Sequence, residues 1–257
     1  PKNTKWKRVN ANGVPAEWIF CGNENSDSVF LFIHGGGYYR GSVEASRSIA
    51  ARISAVSRMR CLSIDYRLAP ENVFPAAIDD TYTAYKWLIK QNINPKRIVV
   101  GGMSAGGGLT LGLLLKLKDL KESQPAGGVP ISPWTDMTQS GKTMHTNAYI
   151  DPIISKEYLD RMSKLYLGGV SPKSKLASPL FGNLKGLPPL LIQVGSAETM
   201  LDDSRRFVEK AKIANVDVEY ENWKDMFHGW HGSAHILYEA KSAIQSIGNF
   251  CNRVLNK

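Results

Sequence analysis

The stretch RIVVGGMSAGGGLTLGLLLKL, Arg97 to Leu117, decides how this chain is read. A β-branched run meets a glycine pair, and Ser104 follows between small residues and Met103. More glycines then open a leucine-rich run. This order predicts a buried strand, a tight turn and a buried helix. Gly102-Met103-Ser104-Ala105-Gly106 fits G-x-S-x-G. In so tight a strand-to-helix turn the serine is held at strained backbone angles, and its neighbours must be small. Its hydroxyl then stands at a helix N-terminus, where free N–H groups and the helix dipole favour negative charge. A phosphate-binding glycine turn is the competing reading. It fails because no P-loop lysine follows and the glycines miss the G-x-G-x-x-G spacing.

Outward from this point, short apolar runs alternate with helical patterns. Strands are expected at 17–21, 29–34, 60–65, 97–101, 127–131, 189–194 and 216–223. Helices are expected at 45–56, 75–90, 105–118, 202–214 and 233–255. Runs such as VFLFI and LLIQV are near-continuously apolar, as expected of parallel strands covered on both faces. The alternation predicts one domain over 1–257, a doubly wound α/β fold with a mostly parallel central sheet and helices on both faces. Residues 134–188 break the rhythm. A connection of about fifty residues between core strands is too long for a loop. It reads as a small helical cap or lid insertion with one helix near 155–167.

A serine hydroxyl needs a base, an orienting acid and an oxyanion hole before it attacks anything. The strand VFLFI runs into His34-Gly35-Gly36-Gly37, where backbone N–H groups approach a ligand with no Cβ in the way. Gly36, Gly37 and Ala105 are the expected oxyanion donors, and His34 is expected to bond locally and hold the loop. The acid belongs after a late core strand: Glu198 lies past the strand LLIQV, with Asp202 as the alternative in the next helix. The base comes last, at His228, with His231 as the alternative and His235 already helical. The order Ser, Glu, His is that of α/β-hydrolases. Tyr38, Trp134, Phe227 and Trp230 are candidates for the substrate pocket.

The chain has 257 residues and a net charge of +9, but its lysines and arginines are scattered. No basic run is interleaved with aromatics, so nucleic acid is not an expected partner. No apolar stretch is long enough to span a bilayer, and no secretory pattern opens the sequence. Cys21, Cys61 and Cys251 have no metal-binding spacing and read as free thiols in a reducing, cytoplasmic setting. No metal and no cofactor are expected.

The motifs HGGGYYRGS, DYRLAPENVFPAAIDD, GGMSAGGGLTLGLLL, ISPWTD, GLPPLLIQVGSAETMLDDS and DMFHGW, in this order, resemble the bacterial hormone-sensitive lipase family of carboxylesterases. The resemblance implies an α/β-hydrolase fold and a cofactor-free serine esterase for short to medium acyl esters. Its nucleophile would be Ser104, its base His228, and its oxyanion donors Gly36, Gly37 and Ala105. The expected partner is a small-molecule ester, with a homodimer allowed. A lactonase, thioesterase or amidase would use the same groups, and a ligand-binding receptor on this fold is the non-catalytic alternative. Three departures stand out. Met103 replaces the family's usual Asp or Thr, and Glu198 stands where Asp is common. Only PKNTKWKRVN precedes the first expected strand, so the cap is reduced or lacks its N-terminal part. In DYRLAPE the charges of Asp65, Arg67 and Glu71 are expected to pair and pin a turn.

Overall fold

A computed structural model describes residues 1–23 and 26–256. Among them, one sheet holds eight strands: β1 (Lys5–Ala11), β2 (Val14–Phe20), β3 (Val29–Ile33), β4 (Arg60–Ile64), β5 (Ile98–Met103), β6 (Gly127–Ile131), β7 (Leu190–Gly195) and β8 (Val218–Trp223). Their order is β1-β2-β4-β3-β5-β6-β7-β8. β2 is antiparallel to β1 and β4, and every other pair is parallel. The helices are α1 (Val43–Ser57), α2 (Ala76–Lys90), α3 (Ala105–Asp119), α4 (Thr143–Thr146), α5 (Lys156–Leu167), α6 (Leu201–Ile213) and α7 (Tyr238–Leu255).

Strand periodicity explains the two layers. Leu31 and Ile33 of β3 pack with residues of α2 and α3, while Phe30 and Phe32 pack with residues of α1 and α7. Both faces of the parallel strands are therefore covered, which is why VFLFI is apolar at every position. The chain passes from β3 to β4 on one side, then returns to β5 on the other side of β3. Loops leaving the C-terminal ends of β3 and β5 diverge there and leave a crevice. Ile33 is in register with Gly102, so the His34 loop and the Ser104 turn start side by side.

Four expectations change. The first strand is not the one expected at 17–21, because Lys5–Ala11 forms β1 and pairs with β2, which itself begins at Val14. The residues of β1 are mostly exposed, so no apolar alternation marks it. The legible signal was Asn12-Gly13, both at positive φ, the pair that closes two-residue hairpins. The last helix begins at Tyr238 rather than near 233, after a 3-10 turn at Trp230–Ser233, and His235 lies in a turn. Asp65 and Arg67 bind outward rather than to each other. Arg67 Nη2 donates to Asp80 of α2 at 2.7 Å, and Asp65 accepts from Val43 N of α1 at 2.7 Å, leaving Glu71 exposed. Finally, 134–188 carries α4 as well as α5 and a 3-10 turn at Pro179–Phe181. Among the described residues, no helix is long and apolar enough to cross a membrane.

Candidate active site

Ser104 sits between β5 and α3 at φ 60°, ψ −118°. That conformation costs on the order of 1–3 kcal/mol and persists only if the surroundings enforce it. They do: Ser104 N donates to Ile131 O at 2.8 Å, and Ser104 O accepts from Gly108 N at 3.0 Å. The small neighbours follow from crowding. A Cβ on Gly106 would run into the Ile33 and His34 carbonyls, and one on Gly35 would lie 2.9 Å from Met103 O and 3.3 Å from Ser104 Cβ. The glycines let the two loops lie against each other at the serine.

Gly36 and Gly37 both take positive φ, 118° and 62°. A side chain at Gly36 would collide with the Arg40 carbonyl, so the loop closes only around glycine. His34 Nδ1 lies 2.7 Å from Gly35 O, and its ring stacks on Tyr66, 4.3 Å between centroids. Tyr66 donates in turn to His34 O at 3.1 Å. Burial holds the His34 imidazole below its ordinary pKa. This histidine serves the loop. Ala105 is the first residue of α3, and an N–H there has no intrahelical partner.

Glu198 lies past β7 and is fully buried. Its Oε2 is 2.7 Å from His228 Nδ1. Its Oε1 accepts from Ser132 Oγ at 2.6 Å and Gly195 N at 2.7 Å. A carboxylate only accepts, so the Nδ1 contact puts the imidazole proton there and leaves the Nε2 lone pair for another task. Ser104, His228, Gly36 and Gly37 line one cavity of about 250 Å³.

The alternative residues are engaged elsewhere. Asp202, in the first turn of α6, accepts from Thr143 N at 3.2 Å and lies 3.6 Å from Arg205. Asp203 is buried and accepts from Thr135 N and Asp136 N at 2.7 and 2.9 Å, and burial lifts its pKa to about 7. His231 is buried with Nε2 2.8 Å from Gln193 Oε1, and His145 lies in α4. Burial pushes the His231 pKa down to about 3. A base depressed on folding stabilises the protein fully above its unfolded pKa of 6.5, and loses that contribution as pH falls toward 3. Near pH 4.5 the loss is about 2–3 kcal/mol from this group alone. His231→Gln should therefore shrink the stability difference between neutral and acid pH by about that amount in denaturant titrations. An unchanged acid slope would refute it.

Of the four aromatic candidates, Trp134 lines the cavity. Tyr38 and Trp230 are buried in the core, and Phe227 is partly buried against it. Tyr38 stacks on Tyr166 at 3.8 Å, Trp230 lies against His231 at 3.9 Å, and Phe227 packs on the α1–α7 cluster. Successive positive φ values at Gly37 and Tyr38 turn the chain there, so adjacency to the glycines did not place the ring at the cavity. The wall comes instead from Ile153, Ile154, Tyr158 and Leu159. That segment is tied to the Glu198 loop. Asn147 Nδ2 donates to Glu198 O at 2.8 Å, and Asp151 accepts from Thr199 N at 2.8 Å and from Ile153 N at 2.9 Å. Ser132, Asn147 and Asp151 were not foreseen. Only Ser132 had a readable signal, as the polar residue directly after a wholly buried strand.

Residues 30–232 match a protein family described as alpha/beta hydrolase fold. An acetyl-hydrolase of Streptomyces hygroscopicus is 38% identical over 94% of this chain and 81% of its own length. The crystal structure of an esterase from the bacterial hormone-sensitive lipase family superposes with a TM-score of 0.97 at 47% identity, covering 99% of this chain and 86% of that one. The esterase EstE5, in crystals soaked with p-nitrophenyl butyrate, gives 0.97 at 41%, covering 100% and 87%. The chain belongs to the α/β-hydrolase fold family and, within it, to the bacterial hormone-sensitive lipase family of carboxylic ester hydrolases.

Proposed function

We propose that this protein hydrolyses short-chain acyl esters through Ser104, His228 and Glu198, with the oxyanion held by the N–H groups of Gly36, Gly37 and Ala105. The observation that carries this is the 2.7 Å Glu198–His228 contact beside a cavity that Ser104 and both glycines also line. His228 Nε2 takes the hydroxyl proton as Ser104 Oγ bonds to the ester carbon. The negative oxygen that forms is met by the three amides, donors fixed before the reaction begins. The bond to the alkoxide breaks, and His228 returns its proton to that leaving oxygen. Water then attacks the acyl-serine with the same base, releasing the acid and restoring the hydroxyl. Glu198 keeps the proton on Nδ1 and stabilises the imidazolium. Residues 134–188 serve as the roof of the cavity.

Cavity size sets the substrate class. Some 250 Å³ lies below the range of about 300–1,000 Å³ that holds a drug-sized ligand. Buried Ile154 and Leu159 shelter an acyl chain near the serine, while Ile153 at the cavity rim and Tyr149 and Ile150 beyond it stand exposed. Each sheltered CH₂ gains up to about 0.8 kcal/mol, and an unsheltered one gains nothing. Acyl groups of roughly two to six carbons are expected to give the highest kcat/KM, which falls for longer ones once the walls end. A nitrophenyl ester series graded by acyl length tests this. Higher activity on emulsified long-chain triglycerides than on soluble butyrates would overturn it.

A further inference from the structure

A second cavity, about 220 Å³, lies behind the glycine loop. His34, Gly41, Ser46, Ile49 and Gly232 help to line it. Among the described residues, Met103 is the one shared by its lining and that of the catalytic cavity. The thioether end of Met103 reaches the turn after the base: a Cβ on Gly229 would lie 3.5 Å from Met103 Sδ and 3.8 Å from Cε. On the other side, the Met103 backbone lies against Gly35.

We infer that the Met103 side chain is the partition between these cavities and sets the upper size of the alcohol half of the ester. The inference rests on the catalytic reading above. In that reading the leaving oxygen must come within reach of His228, because His228 returns a proton to it. The group attached to that oxygen therefore lies on the side of His228 and Gly229, where the Met103 sulfur stands. The acyl chain lies on the side of Ile153, Ile154 and Leu159. Methionine suits a partition. It is apolar and unbranched, so it excludes bulk without binding a particular group. Removing it joins the catalytic cavity to a second one of similar volume. One methylene of pocket room alone alters discrimination roughly 10–200-fold.

The test is a ratio: kcat/KM for naphthyl butyrate divided by that for methyl butyrate. Met103→Ala is expected to raise the ratio at least about tenfold, and Met103→Phe to lower it at least about threefold. The second variant keeps the test decisive if the first folds poorly. The ratio of ethyl butyrate to ethyl octanoate, which varies only the acyl half, should shift less than about threefold in both. An unmoved alcohol ratio overturns the partition, and so does a shift confined to the acyl ratio. Ser104→Ala is assayed alongside on the same esters. If it keeps a tenth or more of the original turnover on them, the catalytic reading itself fails. If it loses about 10⁶ in kcat while the Met103 ratios stay flat, only the partition fails.

Discussion

Ser104→Ala should lose about 10⁶ in kcat while keeping its fold. The substitution removes one oxygen and leaves Cβ in place. The bonds that hold the turn, Ser104 N to Ile131 O and Gly108 N to Ser104 O, are backbone bonds and survive. The strained φ of 60° is borne by alanine as it is by serine, since both carry the same Cβ. Stability should thus stay within the small range of changes that make no cavity and bury no unpaired group. Chemistry is another matter, because no other residue of the Gly102–Gly106 motif carries a hydroxyl. The oxyanion amides and the cavity persist in the variant, so a residual rate over water of roughly 10³–10⁴ remains measurable. Hydrolysis of a butyrate ester and stoichiometric labelling by a fluorophosphonate check the prediction together. A variant with a tenth of the original turnover, or one that still takes the label, would remove Ser104 from the mechanism.

The parts of this site visible in the sequence are those that sterics force locally. The turn at Ser104 demands Gly102 and Gly106 because carbonyls of the β3 edge crowd them, and the loop at Gly36 admits no Cβ. Such demands leave a mark within a few residues. Strands β3, β5 and β7 were legible for a similar reason, since double-sided burial makes nearly every position apolar, Gln193 of β7 excepted. The supports were not legible. Ser132 reaches Glu198 across 66 residues, and Asn147 and Asp151 reach the same loop across about fifty. A hydrogen bond between distant segments imposes no spacing on either. The cavity wall was misread because 134–188 is largely polar, yet Ile153 and Ile154 stand where it meets the serine. Tyr38, Phe227 and Trp230 show the converse, since a neighbour in sequence to a site residue need not face the site.

Glu198→Gln should lower kcat by about 10³–10⁴, with Asp202→Asn held to less than about tenfold. The difference lies in the count of donors. Glu198 faces three: His228 Nδ1, Ser132 Oγ and Gly195 N. A carboxylate accepts from all of them, whereas an amide has one accepting oxygen and an NH₂ that must point somewhere. If the NH₂ faces His228, the imidazole must accept at Nδ1 and carry its proton on Nε2, where it cannot take one from Ser104. If the NH₂ faces Gly195 instead, two donors oppose each other in a buried site. Either arrangement also loses the negative charge that stabilises the imidazolium. Asp202 has no such place. Its partners are the buried Thr143 N–H and the half-exposed Arg205, 3.6 Å away, and an amide there still accepts one hydrogen bond. Steady-state rates of the two variants on one butyrate ester decide the matter. A severe loss in Asp202→Asn with a mild one in Glu198→Gln would transfer the acid to Asp202 and leave the 2.7 Å contact without a catalytic role.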